Sequence, residues 1–301
     1  MSLLVGVDTG RRSASGLALA AQLATSLDTD LIVATVIASA WPPLRGNVDH
    51  EWREHNREAA KVVLDHAASV LGDHVQARYL VHEAASSRRG LLELAESEQP
   101  ACLVLGSAGR GEHGRIALGG VSEALLRASS VPVAIAPVGY RGRLASRITR
   151  LTAAYGGSAA ARDLVLGAAP VAARAGGSLR LASFAVRPDS EIGILSRAGG
   201  AAEDPVLSEW ASRIRTHASE ILDEIEDLAA RPALEEVAIG IGESWAAAID
   251  DIGWRDGDLL MVGSSGLGPI ARVFLGSHGM KIVRNAEVPV IVVPQGVSWP
   301  L

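Results

Sequence analysis

Two glycine-bearing segments stand where backbone chemistry could hold an anion. The first reads Gly106-Ser-Ala-Gly109 and then, after nine residues, Gly119-Gly120-Val121-Ser122. The second reads Gly263-Ser-Ser-Gly266 and then, after nine residues, Gly276-Ser277-His278-Gly279. An aliphatic run precedes each first glycine, and a helical stretch follows each second pair. Glycine at a strand end lets the chain turn sharply and lets a ligand come close to the backbone. Amide groups facing out of such a loop can point at phosphate oxygens. A helix beginning at the second pair adds unpaired donors and the positive end of its dipole. Loop and helix end together suit a polyphosphate. The competing reading is that these glycines only shape a tight turn and a helix start.

Other residues with chemical potential are set aside on geometry. Gly109-Arg-Gly111-Glu-His-Gly114 and Gly266-Leu-Gly268-Pro-Ile-Ala271 match a dinucleotide fingerprint. That fingerprint belongs directly after a first strand, and Pro269 sits badly in an opening helix. His50 and His55 are five apart and do not share a helix face, which argues against zinc. His278 is a candidate phosphate cap, whereas His113 reads as exposed. Arg115 and Arg272 occupy the same loop position, where either a phosphate-screening or a surface role fits. Neither Gly106-Ser107 nor Gly263-Ser264-Ser265 forms a nucleophile elbow, and no Ser/His/Asp or Cys/His arrangement is suggested. No metal-ligand set is identified. Cys102, the single cysteine, excludes an intramolecular disulfide and fits a reducing compartment. Its apolar surroundings predict a buried, inert thiol.

The elements that must position the glycines come in two copies. Gly263, Gly276 and Val288 each lie 157 residues after Gly106, Gly119 and Val131 in matching contexts. Nearer the start of each copy the offset is 148, as from Leu31 to Leu179, so the second copy carries extra residues around 188–204, a stretch that reads as a loop. Strands are expected near 3–8, 30–37, 75–81, 101–106 and 132–136, then near 149–155, 179–186, 234–240, 258–262 and 289–293. Helices are expected near 13–27, 50–71, 87–98 and 120–129, then near 158–175, 205–230, 243–254 and 277–286, with Ser13 as N-cap of the first. Strands alternating with helices imply parallel, doubly wound sheets. With 301 residues the chain holds two such domains, 1–140 and 147–298, joined by a Gly/Arg-rich linker. The composition, 48% hydrophobic but only 4% aromatic, suits aliphatic strands buried on both faces. A net charge of −6 gives no footprint for nucleic acid. Without a signal sequence or a membrane span, a cytoplasmic location is expected.

The pattern Gly-x2-Gly-x9-Gly-Ser/Thr after a fourth strand, followed by Val131-Pro-Val and again by Val288-Pro-Val, resembles the ATP-binding motif of the universal stress proteins. The resemblance implies two five-stranded, doubly wound domains of the adenine nucleotide alpha hydrolase-like type in tandem. It also implies bound adenine nucleotide, ATP with or without Mg²⁺, serving stress-response regulation without dedicated catalysis and with at most weak ATP hydrolysis. Carried over by position, Asp8 and Val36 serve the nucleoside, and Gly106, Gly109, Gly119, Val121 and Ser122 the phosphates. In the second copy Phe184 lies near the base, with Gly263, Gly266, Gly276, Ser277, His278 and Gly279 at the phosphates. Gly120 stands where the family pattern has Ser or Thr, and Tyr155 is read as standing where the first copy has Asp8. The alternative is a ligand-free interaction or scaffold protein with degenerate pockets. The resemblance further implies that the fifth strands, 131–136 and 288–293, pair within the chain, and it is compatible with a homodimer of tandems.

Overall fold

The structure, a computed structural model, describes residues 1–8, 12–38, 47–109, 111–142, 146–187, 196–264 and 277–297. The first half runs β1 (Ser2–Gly6), α1 (Arg12–Leu27), β2 (Asp30–Ala38), α2 (Asn47–Leu71), β3 (Ala77–Ala84), α3 (Ser87–Glu98), β4 (Cys102–Gly106), α4 (Gly120–Ala128), β5 (Val133–Ala136). The second runs β6 (Arg150–Ala154), α5 (Ala159–Ala175), β7 (Ser178–Val186), α6 (Ser196–Glu226), β8 (Ala233–Leu234), β9 (Ala238–Gly242), α7 (Trp245–Asp250), β10 (Asp258–Gly263), α8 (Ser277–Asn285), β11 (Val290–Val293).

All these strands form one sheet, ordered β3-β2-β1-β4-β5-β11-β10-β6-β7-β8, with β9 also on β7. Every pairing is parallel except the central one, where β5 meets β11 antiparallel with Ile291 opposite Ala134. The fifth strands therefore do pair within the chain. Each half is a doubly wound unit, and the two are related by a reversal of direction at the seam.

Side chains alternate across the sheet although the strands are apolar throughout. Leu3, Val5 and Val104 join α1, α2, α5 and α6 in one hydrophobic layer. Leu4, Leu103 and Leu105 join α3, α4, α7 and α8 in the other. Both layers continue from one half to the other. Cys102 is fully buried, and burial pushes its thiol pKa up, out of the reactive range. Among the described residues no helix is long and apolar enough to cross a membrane.

Three sequence expectations are corrected. The strand expected over 234–240 is broken into β8 and β9. Between them Glu235 accepts a hydrogen bond from Ser178 at 2.7 Å and another from Arg150 at 3.0 Å, so its side chain serves a polar cluster rather than a strand face. Arg150, 3% exposed, also grips Asp258 and the Gly253 carbonyl. Beside it Arg180 donates to Thr152, Ile252 and Gly253 and lies over the Trp254 ring at 5.1 Å; burial and the neighbouring Arg150 bring its pKa down to about 10. Removing one partner of a buried pair of this kind costs about 3–5 kcal/mol. Second, part of the stretch read as a loop is helical, since α6 begins at Ser196 and runs on through Gly199, Gly200 and Pro205, residues of low helix propensity. Third, Ser13 does not cap α1. It lies inside the first turn, where its hydroxyl accepts the Asp8 N–H at 2.6 Å and sits 2.8 Å from Asp8 Oδ1.

Candidate functional site

The first cleft, about 200 Å³ in volume, opens at the carboxyl ends of β1, β2 and β4. The chain runs outward to β2 and β3 on one side of β1 and to β4 and β5 on the other. Open α/β sheets hold ligands at such a switch point. Asp8, Val36, Gly106, Gly119, Val121 and Ser122 all line the cleft, whereas Gly109 is exposed and stands off it.

Two glycines beside this cleft differ in what their positions allow. A Cβ on Gly16 of α1 would lie 2.7 Å from the Gly106 nitrogen, so only glycine there lets α1 rest on the end of β4. Gly120 is the opposite case, since a Cβ there would meet nothing within 4 Å. The position that lacks the expected hydroxyl has room for one. Ser122 does not replace it. Its hydroxyl accepts the Gly119 N–H at 2.8 Å and bonds back to the Gly119 carbonyl at 3.1 Å, closing the start of α4. What α4 offers an anion is its backbone, because the first N–H groups of a helix, here those of Gly120, Val121 and Ser122, have no intrahelical acceptor. The Ser107 hydroxyl is likewise committed, donating to the Ala136 carbonyl at 2.6 Å and tying the glycine turn to β5.

The second cleft occupies the same place in its half but measures about 1230 Å³. Phe184, Gly263, His278 and Gly279 line it, and Ser277 does not. Gly266 and Gly276 lie outside the described residues, as does Arg272. The strand register corrects one equivalence. Arg150 pairs with Ser178 as Ser2 pairs with Asp30, and the Tyr155 N–H reaches the Ala182 carbonyl as that of Val7 reaches Ala34. Tyr155 therefore matches Val7, and Gly156 matches Asp8. Tyr155 is buried in the core, and burial raises its phenol pKa. No carboxylate stands at the end of β6.

Two further substitutions set the clefts apart. Ser86 and Ser244 are the N-caps of α3 and α7, so Ser87 in the first cleft corresponds to Trp245 in the second. The Trp245 ring lies 5.4 Å from that of His278, and Lys281 Nζ lies 5.7 Å from the Trp245 ring. Gly16 corresponds to Leu164, whose side chain lines the second cleft and would lie 3.5 Å from a Cβ placed on Gly263. Ser264 repeats the backbone tie of Ser107, its N–H donating to the Val293 carbonyl as that of Ser107 donates to Ala136, and its hydroxyl accepts the Gln295 N–H at 2.8 Å.

Arg115 faces neither cleft. It makes a two-pronged ion pair with Asp250 on α7, at 2.9 and 2.7 Å, and a further one with Glu287 at 3.0 Å. Together with Arg284 of α8 on Glu123 of α4, at 2.9 Å, it fastens the two halves beside the β5–β11 seam. His113 is exposed, as expected. Sequence reasoning passed over Gly16 and Ser87 because a glycine inside a helix and a serine at a helix start carry no signal of their own.

Comparison with known proteins agrees with this architecture. The family model described as universal stress protein family matches residues 1–137 and again 147–294. A universal stress protein of Mycobacterium tuberculosis is 35% identical over 304 residues, covering 98% of this chain and 100% of that one. A universal stress protein of Mycolicibacterium smegmatis is 26% identical, covering 97% and 96%. Among solved structures, a universal stress protein from Archaeoglobus fulgidus superposes with a TM-score of 0.61 at 21% identity, covering 98% of each chain.

Proposed function

The chain belongs to the universal stress protein family, and from that premise we propose that its first cleft binds an adenine nucleotide, ATP in the fullest form, for stress-response regulation without dedicated catalysis. The supporting observation is that Asp8 and the amino end of α4 line one cleft at the switch point of the sheet. In this reading Asp8, oriented by Ser13, accepts hydrogen bonds from the ribose hydroxyls. The backbone at Val36 borders the base, and the turn at Gly106 with the amides of Gly120, Val121 and Ser122 takes the phosphates. The volume lies below the ~300–1,000 Å³ usual for sites that enclose a whole ligand. The nucleoside end is then enclosed and the outer phosphates lie at the mouth. Among the described residues no group of three or more His, Cys, Asp or Glu is placed to hold a metal, so Mg²⁺ in this reading enters on the phosphates. The hydroxyls of Ser107 and Ser122 both donate to backbone carbonyls, of Ala136 and Gly119. A cytoplasmic location belongs to the same reading and agrees with the buried, single cysteine.

Calorimetry of the full chain with ATP and ATP·Mg²⁺ tests it. Saturable binding is expected, and Asp8→Asn is expected to weaken it by about tenfold to a hundredfold, the worth of a hydrogen bond to a charged group. Unchanged affinity in that variant removes the assigned pose. No heat at millimolar ATP favours the ligand-free scaffold reading instead.

A further inference from the structure

We propose that the second cleft binds a planar aromatic anion that carries no ribose, on a platform built by Trp245, His278 and Lys281. This goes beyond the nucleotide reading of the first cleft and does not depend on it. The starting point is what has been lost. Gly156 stands where the first half has Asp8, so a sugar diol finds no carboxylate at the end of β6. What has been gained is aromatic surface and positive charge. Ser87 has become Trp245, Val36 has become Phe184 and Val121 has become His278, and all three newcomers line the cleft. Stacking of a ring on aromatic faces is favourable whatever the ring's edge groups.

The charge has changed in the same sense. Arg187, Arg213 and Lys281 line the second cleft, against Glu243 as the one carboxylate among its described lining residues. In the first cleft the described lining residues carry a single charged side chain, Asp8. Lys281 lies one turn into α8, and its ammonium reaches over the Trp245 ring. An acid group on an aromatic body stacked there would meet both the ammonium and the amino end of α8. The cleft, about 1230 Å³, readily admits a fused two-ring system.

The experiment uses the full chain with 1-naphthyl phosphate as probe, followed by calorimetry, and with ATP and inorganic phosphate as competitors. One naphthyl phosphate per chain is expected, retained when ATP is saturating at the first cleft. Lys281→Ala, which installs the first half's Ala124, is expected to weaken the probe about tenfold and leave ATP binding at the first cleft unchanged. Trp245→Ser is expected to weaken it at least as much. If that variant loses its native circular dichroism, His278→Val removes the neighbouring ring of the same platform and is expected to weaken the probe in its place. Displacement of the probe by ATP at equal affinity overturns the proposal. So does inorganic phosphate binding as tightly as the probe, or an affinity indifferent to Lys281→Ala.

Discussion

The two clefts occupy equivalent places in the same sheet and differ in nearly every side chain that faces a guest. In the first, Gly16 brings α1 against the end of β4, Asp8 supplies a carboxylate and Ser87 leaves the rim small. In the second, Leu164 holds α5 a side chain away from Gly263, Gly156 supplies nothing, and Trp245 with Phe184 builds an aromatic wall. The shared parts are the ties behind the glycine turns, where Ser107 and Ser264 bond to the following strand or the chain just beyond it. Scaffold has been kept while the lining changed. That is the pattern expected when a fold is reused and its site is not.

Substitutions that swap one cleft's residue for the other's put this contrast at risk. The largest effect is expected from Gly16→Leu, which gives α1 the residue of α5. Its Cβ meets backbone that cannot yield, so we expect a loss of about 1–3 kcal/mol or more in chemical denaturation together with loss of ATP binding. Wild-type stability and affinity in this variant show that the α1–β4 contact does not shape the cleft. Next comes Gly156→Asp, which places a carboxylate where the second cleft lacks one. The site is open, and a gain of about tenfold in ATP affinity there, read by calorimetry as a second binding event, is expected. Its absence shows that the lost carboxylate is not what separates the clefts. The smallest effect is expected from Gly120→Ser, which restores a hydroxyl at the start of α4. Gly120 is exposed, so water competes for the new hydroxyl and screens the phosphate; a net gain of about 0.5–1.5 kcal/mol is expected, and ATP affinity at the first cleft should rise a few-fold. An unchanged titration means that no phosphate lies at that position.

Much of this was legible in the residues. Strand and helix order, the duplication and the glycine turns at strand ends follow from aliphatic runs spaced by helical stretches, whereas the internal pairing of the fifth strands is what the family resemblance implies. The one-residue slip at Tyr155 was not legible. Where both faces of a strand are buried, neighbouring positions look alike, and register is set by cross-strand bonds that the sequence does not display. The break at Glu235 depends on Arg150, Ser178 and Asp258 meeting in space from distant parts of the chain. Gly16 reads as a weak point in a helix until β4 is seen beneath it. Ser122 is assigned to phosphate by its position in the family motif. Its hydroxyl is instead held by a residue three positions away.

The antiparallel join of β5 and β11 has a consequence for composition. Two separate chains meeting across such a join by twofold symmetry would present identical recesses, because symmetry repeats every residue. Within one polypeptide that rule lapses. Each molecule carries one recess of each kind in fixed one-to-one ratio, and a substitution in either alters that recess alone.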